Sequence, residues 1–250
     1  MNASVSLIVT AYNRQQFLAK TIESILAQTY SDFELLIWDD GSTDHSVAIS
    51  QQYAEQDARI RVVAADHRGF ASALRAAIST TTGAYLGWVD SDDLLEPTAL
   101  QETISALDAA PSVGMVYTQY RVINEEGVDQ GLGVRSQIPY SSDQLLVSFM
   151  TFHFRLLRRS VYEQIGGLDS SYDRAEDYDL CLRLSEVTEI QQVPKPLYCY
   201  RQHGGNMTND QLEQIRWSYR ASVAALKRRG LEESYAIDLR VVSQFVLRRV

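Results

Sequence analysis

The sequence places three carboxylates within four residues, directly after an apolar segment. Residues 85–89 form the apolar segment, and Asp90, Asp92 and Asp93 follow it. Carboxylates at this density repel one another unless a cation lies among them. An acidic turn that caps the next helix is the alternative, because Asp and Ser are common turn and N-cap residues. By itself, the stretch is compatible with a cation site and with a helix cap.

Strand–helix alternation in the first half of the chain predicts where these carboxylates lie. Four apolar segments of strand length are each followed by a helical stretch, and they are residues 5–10, 33–38, 60–65 and 85–89. This order over roughly the first 110 residues predicts a parallel, doubly wound sheet. Right-handed crossovers then place every strand-to-helix loop at one sheet edge, where open α/β folds bind ligands. The polar loops expected to meet there are residues 10–14, 39–44, 66–69 and 90–93.

The pattern after Gly114 is less regular. The extended segments that we expect there are residues 113–122, 153–157 and 191–201. The expected helices are residues 159–165, 175–185, 211–229 and 232–249, with a turn at 124–127 and an irregular segment at 128–140. Gly166 and Gly167 suit the left-handed end of the first of these helices. His153 lies between two phenylalanines, which favours buried strand packing.

Composition and charge exclude several classes of protein. The chain has 250 residues, 45% hydrophobic and 22% charged, as in ordinary globular proteins. A formal charge of −9 argues against a nucleic-acid binder, which needs a basic surface. The sequence has no apolar run long enough for a membrane span and no basic N-terminal stretch typical of a signal peptide. Cys181 and Cys199 lack metal-site spacing, and we expect buried free thiols in a cytoplasmic protein.

Neither of the two commonest phosphate-binding loops is present. No Gly-x-Gly-x-x-Gly and no Gly-x-x-x-x-Gly-Lys-Ser/Thr follows any of the predicted strands. A nucleotide bound at this sheet edge would therefore have to be held by side chains and a metal ion.

Six motifs together resemble family 2 glycosyltransferases of the GT-A fold. They are Thr10-Ala11-Tyr12-Asn13-Arg14, Asp39-Asp40-Gly41-Ser42-Thr43-Asp44, Asp90-Ser91-Asp92-Asp93, Gly166-Gly167-Leu168-Asp169, Glu176-Asp177 and Tyr200-Arg201-x-His203. The resemblance covers residues 5–208 and implies an α/β, Rossmann-like, mostly parallel sheet flanked by helices. It implies one domain over residues 1–250, with a nucleotide-sugar-binding half (1–112), an irregular acceptor-side half (113–208) and C-terminal helices (209–250).

The resemblance implies an inverting transfer of a sugar from a nucleotide diphosphate, usually with Mn²⁺ or Mg²⁺. A UDP-sugar is the expected donor, with Thr10 bonding the base, Tyr12 against its face and Asp40 accepting the imide N–H of uracil. Tyr12 could instead belong to the core. Arg68 would lie beside the base or diphosphate, although the sequence His-Arg-Gly departs from the family pattern there. A solvated surface arginine is the alternative for Arg68.

The metal ligands implied by the resemblance are Asp92, Asp93 and His203. Asp clusters suit hard divalent cations. The motif can be read as Asp90-x-Asp92 or as the adjacent pair Asp92-Asp93, with the remaining carboxylate on the ribose hydroxyls. His203, followed by two glycines, would close over the diphosphate; a packed histidine is the alternative. The sequence leaves open which of Asp90, Asp92 and Asp93 binds the metal.

Asp177 is the candidate catalytic base. Inversion by single displacement needs one carboxylate to accept the proton of the acceptor hydroxyl. The family places this base in a Glu-Asp pair at a helix start, as in Glu176-Asp177 here. Glu176 could exchange roles with Asp177, and favourable charge at a helix N-terminus is the structural alternative for both.

The expected acceptor is a saccharide or lipid-linked saccharide. For His153, a position facing this acceptor is the alternative to buried strand packing. Apolar residues and arginines in the last predicted helix suggest core or dimer contact, with peripheral membrane contact at the inner face as the alternative.

Two other functions are alternatives to glycosyl transfer. A sugar-nucleotide pyrophosphorylase should carry a Gly-rich loop after the first strand, and residues 10–14 have no glycine. A catalytically silent nucleotide-sugar-binding module would not need Asp177.

Overall fold

The first half of the chain forms the predicted parallel β/α alternation. The computed structural model describes residues 3–206 and 210–240. The strands are β1 (Val5–Ala11), β2 (Phe33–Asp39), β3 (Ile60–Ala64) and β4 (Tyr85–Trp88), and the helices are α1 (Leu18–Leu26), α2 (Ser46–Ala54), α3 (Phe70–Ser79) and α4 (Ala99–Ala109). The four strands are parallel in the order β3-β2-β1-β4. Their carboxyl ends therefore lie at one edge of the sheet.

The second half extends the same sheet with mixed strand directions. Its strands are β5 (Leu94–Leu95), β6 (Val113–Ile123), β7 (Asp129–Leu132), β8 (Arg155–Arg158) and β9 (Glu189–Arg201). Its helices are α5 (Arg159–Gln164), α6 (Glu176–Leu184) and α7 (Gln211–Arg228), with 3₁₀ turns at Arg135–Gln137 and Gln144–Leu146. The order continues from β4 as β8-β6-β9-β5, and β7 pairs with β6. Strand β8 is antiparallel to β4 and β6, whereas β6 and β9 are parallel.

Helices cover both faces of the sheet, which explains the continuous apolar segments. All seven residues of β1 are buried. Leu7 and Val9 pack on one face with residues of α1 and α4. Ile8 packs on the opposite face with residues of α3, α6 and α7. Successive side chains of a strand point to opposite faces, so a strand covered on both sides has no solvent-facing positions and reads as a mostly apolar segment.

Helices α5 and α7 end at glycines that have a left-handed backbone conformation. Gly166 and Gly167 have φ of +78° and +71° and follow α5. The Gly167 N–H donates to the Tyr162 carbonyl, and the Gly166 N–H donates to that of Glu163, which is a Schellman motif. Gly230, with φ of +65°, ends α7 by the same pattern of bonds to Leu226 and Lys227.

Two expectations for the second half are wrong. Residues 232–240 were expected to begin a second C-terminal helix but contain only a turn, closed by the N–H groups of Ser234 and Tyr235 on the Leu231 carbonyl, and irregular structure. Ile237 packs against the core without a helix. The expected helix from 241 to 249 lies outside the described residues. Residues 128–140, expected to be irregular, contain β7 and a 3₁₀ turn. Over the described residues, no helix is long and apolar enough to cross a membrane.

Candidate functional site

The loops after β1 and β2 are bonded to each other at the carboxyl edge of the sheet. The Asn13 side chain accepts from the Thr43 N–H at 2.8 Å, and the Asn13 N–H donates to the Ser42 hydroxyl at 2.8 Å. Asn13 has φ of +53°, a left-handed conformation that asparagine tolerates better than most residues. Asp39 accepts from the Ser42 N–H at 2.8 Å. Asp39 therefore shapes the turn, as an Asx-turn residue does.

Asp40 fixes the loop after β3. Its two carboxylate oxygens accept the backbone N–H groups of Arg68 and Gly69, each at 2.9 Å. His67 Nδ1 lies 2.8 Å from Asp40 Oδ2, and the His67 ring stacks on Tyr12 with centroids 4.1 Å apart. Tyr12 is 42% exposed, which excludes the core interpretation of this ring. Three of the four predicted base contacts, Tyr12, Asp40 and Arg68, therefore adjoin one another. Thr10 is buried at the end of β1.

A cleft begins at this group. It has a volume of about 860 Å³ and runs between α3 and α5, lined by Trp38, Asp40, Arg68, Arg75, Tyr162 and Gly167 among others. This volume is typical of small-molecule sites. The lining includes Asp40 and Arg68 but neither Asp92 nor Asp177. The acidic residues Asp92 and Asp177 are therefore not part of the wall of this cleft.

Asp92 lies between a histidine and an arginine from distant parts of the chain. Its Oδ2 is 2.9 Å from His203 Nε2 and 3.2 Å from Arg14 Nε. The His203 ring also packs on Phe17, with centroids 4.7 Å apart, and its Nδ1 accepts from the Gly205 N–H. The loop that carries His203 thus closes over Asp92, bringing together two predicted metal ligands.

Asp93, by contrast, is engaged inside the protein. It is 0% exposed, and its oxygens accept from the Tyr198 hydroxyl at 2.8 Å and the Arg201 N–H at 2.7 Å. Burial, with repulsion from Asp92 and Asp90, raises the pKa of Asp93 well above its usual range. These contacts tie the acidic turn to β9. The observed geometry leaves Asp92, and not Asp93, in contact with His203.

We expect Asp93→Ala to lower the free energy of unfolding by roughly 2–4 kcal/mol, because two buried donors lose their acceptor. Denaturant unfolding of the parent and the variant measures this difference. Glu126→Ala removes a carboxylate from an exposed turn and serves as the control, with little change expected. A variant as stable as the parent, but with lost nucleotide affinity, would instead make Asp93 a ligand.

Asp90 is held from two sides. Its Oδ2 lies 3.3 Å from His153 Nε2, and its backbone N–H donates to the Tyr198 hydroxyl at 3.2 Å. Burial raises the pKa of the Asp90 carboxyl, but the charges of His153, Arg155 and Arg14 outweigh burial, and the pKa lies below its usual value. Asp90 is therefore an ionised carboxylate at neutral pH.

Glu176 and Asp177 begin α6 but have different environments. Ala175 precedes them in a left-handed conformation, with φ of +55°. Asp177 Oδ2 accepts from Arg155 Nη2 at 3.0 Å, and Arg155 is fully buried beside the rings of Trp88 and Phe149. Glu176 is 6% exposed, and burial together with the neighbouring Asp177 raises its pKa to about 8. At neutral pH, Glu176 is therefore mainly protonated, whereas Asp177 is ion-paired with Arg155.

The raised pKa of Glu176 predicts a pH-dependent stability. The folded-state pKa of about 8 exceeds the ordinary value of 4.5, so the unfolded chain releases this proton first as pH rises. The contribution is fully present below pH 4.5 and is lost as pH rises through 8. Relative to Glu176→Gln, we expect the parent to lose roughly 3 kcal/mol of unfolding free energy between pH 5 and pH 8. Denaturant titrations of both proteins at each pH measure this. An equal pH dependence in both would contradict the assignment.

Several residues that build the site were missed or only partly identified from the sequence. Arg155 and Tyr198 were not predicted, Arg201 was noted only within the Tyr200-Arg201-x-His203 motif, and His153 was interpreted as strand packing or as facing the acceptor. Arg201 is buried, and its Nε donates to the Asp92 carbonyl at 2.7 Å. A signal that could have found Arg155 is its charge between apolar neighbours, Phe154 and Leu156, in a predicted strand. Such a charge is rarely buried unless it is paired.

The Asp92–His203 pair has suitable donors for a divalent cation. Among residues 3–206 and 210–240, no group of three or more His, Cys, Asp or Glu is placed to hold a metal. Mg²⁺ and similar ions need only one or two carboxylates from the protein when substrate phosphates and water complete the coordination. One carboxylate and one imidazole 2.9 Å apart meet this requirement. The residues present therefore fit such an ion.

Solved structures with similar folds include two nucleotide-sugar complexes. S. aureus TarS 1–349 with UDP-GlcNAc has a TM-score of 0.72 at 18% identity, covering 90% of this chain and 66% of that chain. The mannosyltransferase PcManGT from Pyrobaculum calidifontis with GDP-Man and Mn²⁺ has a TM-score of 0.67 at 18% identity, covering 95% and 77%. These similarities confirm the expected GT-A fold.

Sequence relatives include two synthases of greater length. The chain is 33% identical over 230 residues to chondroitin synthase of Escherichia coli, covering 92% of this chain and 33% of that protein. It is 32% identical over 202 residues to hyaluronan synthase of Pasteurella multocida, covering 81% and 21%. The chain thus spans a third or less of the length of these relatives. The profile described as Glycosyl transferase family 2 matches residues 6–166, and the chain therefore belongs to this family of glycosyltransferases.

Proposed function

We propose that this glycosyltransferase moves a sugar from a UDP-sugar to a saccharide or lipid-linked saccharide hydroxyl, with inversion and with a divalent cation. The observation that carries the proposal is the placement of Asp177. It lies in the first turn of α6 and is ion-paired with the buried Arg155, which also feels the charge of Asp90. A carboxylate fixed in this way beside the donor-side loops is what a single displacement needs.

The base of the donor would lie on the exposed ring of Tyr12. Each Asp40 oxygen accepts one backbone N–H, and a carboxylate oxygen has a second lone pair. Asp40 can therefore also accept a ring N–H of a base, which uracil (N3–H) and guanine (N1–H) offer and the unprotonated N3 of cytosine does not. Thr10 lies at the end of β1, and Arg68 provides a cation beside Asp40. This arrangement supports a uridine or guanosine donor, and we propose uridine on the family resemblance.

Asp92 and His203 would hold Mn²⁺ or Mg²⁺. When bound, such an ion supplies positive charge that stabilises the departing diphosphate. Arg14 adds a fixed cation 3.2 Å from Asp92, available to the same phosphates. Asp90 is ionised and is held by His153 and Tyr198. It would accept hydrogen bonds from hydroxyl groups of the ribose or the donor sugar. We assign no ligand role to Asp93, because its oxygens already accept two internal hydrogen bonds.

Asp177 would accept the proton of the acceptor hydroxyl as that oxygen attacks the anomeric carbon. The bond from this carbon to the diphosphate breaks on the opposite face, so the configuration inverts. Glu176 suits the base role less well, because its pKa of about 8 keeps it protonated at neutral pH. A general base must be unprotonated to act.

A panel of nucleotides tests this proposal. Isothermal titration with UDP, GDP and CDP in Mn²⁺ should give the tightest binding for UDP and the weakest for CDP. A donor-hydrolysis and transfer assay over UDP-linked sugars should then identify at least one substrate whose product has inverted anomeric configuration. Binding of UDP without turnover of any donor would support the catalytically silent module. Retention of anomeric configuration would exclude the single displacement.

A further inference from the structure

Two buried polar side chains connect two acidic segments of the site. His153 precedes β8 and Arg155 begins it, and the two residues are 5% and 1% exposed. His153 Nε2 lies 3.3 Å from Asp90, and Arg155 Nη2 lies 3.0 Å from Asp177. Asp90 belongs to the turn after β4, whereas Asp177 belongs to α6. One short segment therefore contacts a carboxylate of each acidic segment.

Burying the polar groups of these two side chains lowers the stability of the fold where a group has no hydrogen-bond partner. Among the described residues, His153 Nδ1 and Arg155 Nε are buried and have no hydrogen-bond partner. Apolar side chains of similar volume would fill the same space without this penalty, and replacing a buried ion pair by apolar groups is often neutral or stabilising. Packing therefore does not explain why these positions carry a histidine and an arginine.

The surrounding contacts fix the direction of both side chains. The His153 ring stacks on Tyr198 with centroids 4.9 Å apart and planes inclined by 18°, and Tyr198 also bonds the Asp90 backbone and the Asp93 carboxylate. Arg155 Nη1 donates to the Thr151 carbonyl at 3.1 Å, which leaves Nη2 directed at Asp177. Strand β8 is paired on both sides, with β4 and β6. The segment is therefore a rigid reference for both carboxylates.

We propose that His153 and Arg155 are positioning residues that hold Asp90 and Asp177 at a fixed separation, so that the donor sugar faces the base. The inference rests on the proposed function of the site. His153 acts on the donor side, through the carboxylate that receives sugar or ribose hydroxyls. Arg155 acts on the acceptor side, through the orientation of the base. The two residues should therefore affect different kinetic constants.

The expected effects can be separated by two substitutions. Arg155→Met keeps the approximate volume and removes the bond to Asp177, so kcat should fall about 10–100-fold at an unchanged Kd for UDP in Mn²⁺. His153→Phe keeps the stack on Tyr198 and removes the bond to Asp90, so KM for the nucleotide-sugar should rise about tenfold. His153→Gln, whose amide can donate to Asp90, should restore much of this loss. If the two residues had a purely structural role, the loss would not divide into a kcat effect for Arg155→Met and a KM effect for His153→Phe.

Arg159→Met is the matched control. Arg159 is the next arginine but one after Arg155 in sequence, but it donates to the Gly83 carbonyl and the Thr81 hydroxyl before β4, at the opposite edge of the sheet. Its substitution should leave kcat and KM near those of the parent. Should Arg155→Met not fold, Arg155→Lys keeps the buried charge. The lysine should still lower kcat, because an ammonium cannot reproduce the guanidinium fork to Asp177 and Thr151.

The outcomes distinguish this inference from the proposed function. A parent protein that binds UDP but transfers no sugar would overturn the proposed function and the inference with it. An active parent whose Arg155 and His153 variants keep parental kcat and KM would overturn the inference alone. An Arg155 variant whose UDP affinity falls in proportion to its activity would also overturn it, because Arg155 would then support the whole site and not the orientation of the base.

Discussion

Asp177→Asn should lower kcat for sugar transfer by about 10²–10⁴ and leave the Kd for UDP near that of the parent. Asparagine has the same shape and can still accept the bond from Arg155, so the helix start should be preserved. The carboxamide cannot take up a proton from the acceptor hydroxyl, and the loss should appear in the chemical step. Single-turnover transfer at saturating donor measures this step directly.

Glu176→Gln is the matched variant for this experiment. It makes the same carboxylate-to-amide change one residue earlier, at a position where the side chain is already mainly protonated. We expect its effect on kcat to be much smaller than that of Asp177→Asn. If Glu176→Gln abolished transfer and Asp177→Asn did not, the roles of the two acids would be reversed.

The sequence was most informative where structure is local. Each strand of the β/α half is an apolar segment followed by a helix, so pattern alone predicted the order of elements to within a few residues. The short strand β5 was missed, because two residues that pair with β9 have no pattern of their own. The second C-terminal helix, expected over 232–249, was wrong over its described part: the backbone after Gly230 makes one turn and then runs without helical hydrogen bonds, although the apolar spacing continues.

Within the site, the sequence predicted carboxylates but not their partners. Asp92 and His203 are 111 residues apart, and Asp93 and Tyr198 are 105 apart. Local spacing contains no information on such pairs, so the resemblance to a family was needed to connect Asp92 with His203. The same limitation explains why Asp93 was grouped with Asp92, since adjacent residues of a tight turn can face opposite sides. Only the fold shows that Asp93 faces β9.

Asp92→Asn should weaken UDP binding in Mn²⁺ at least about tenfold, because a charged ligand of a divalent cation is lost. The variant should also bind UDP with little dependence on Mn²⁺, so titrations with the metal and with a chelator measure the effect in two ways. Uridine, which lacks the diphosphate, should bind the parent and the variant equally, since its proposed contacts are Tyr12 and Asp40.

Asp40→Asn provides the complementary variant. It should weaken uridine and UDP alike, because the amide places a donor where the base also offers an N–H. The two substitutions therefore separate the base contact from the phosphate and metal contact within one nucleotide. If Asp92→Asn kept the full Mn²⁺ dependence of UDP binding, the metal would have to be held elsewhere at the sheet edge, and the contact between His203 and Asp92 would serve only to close the loop over the acidic turn.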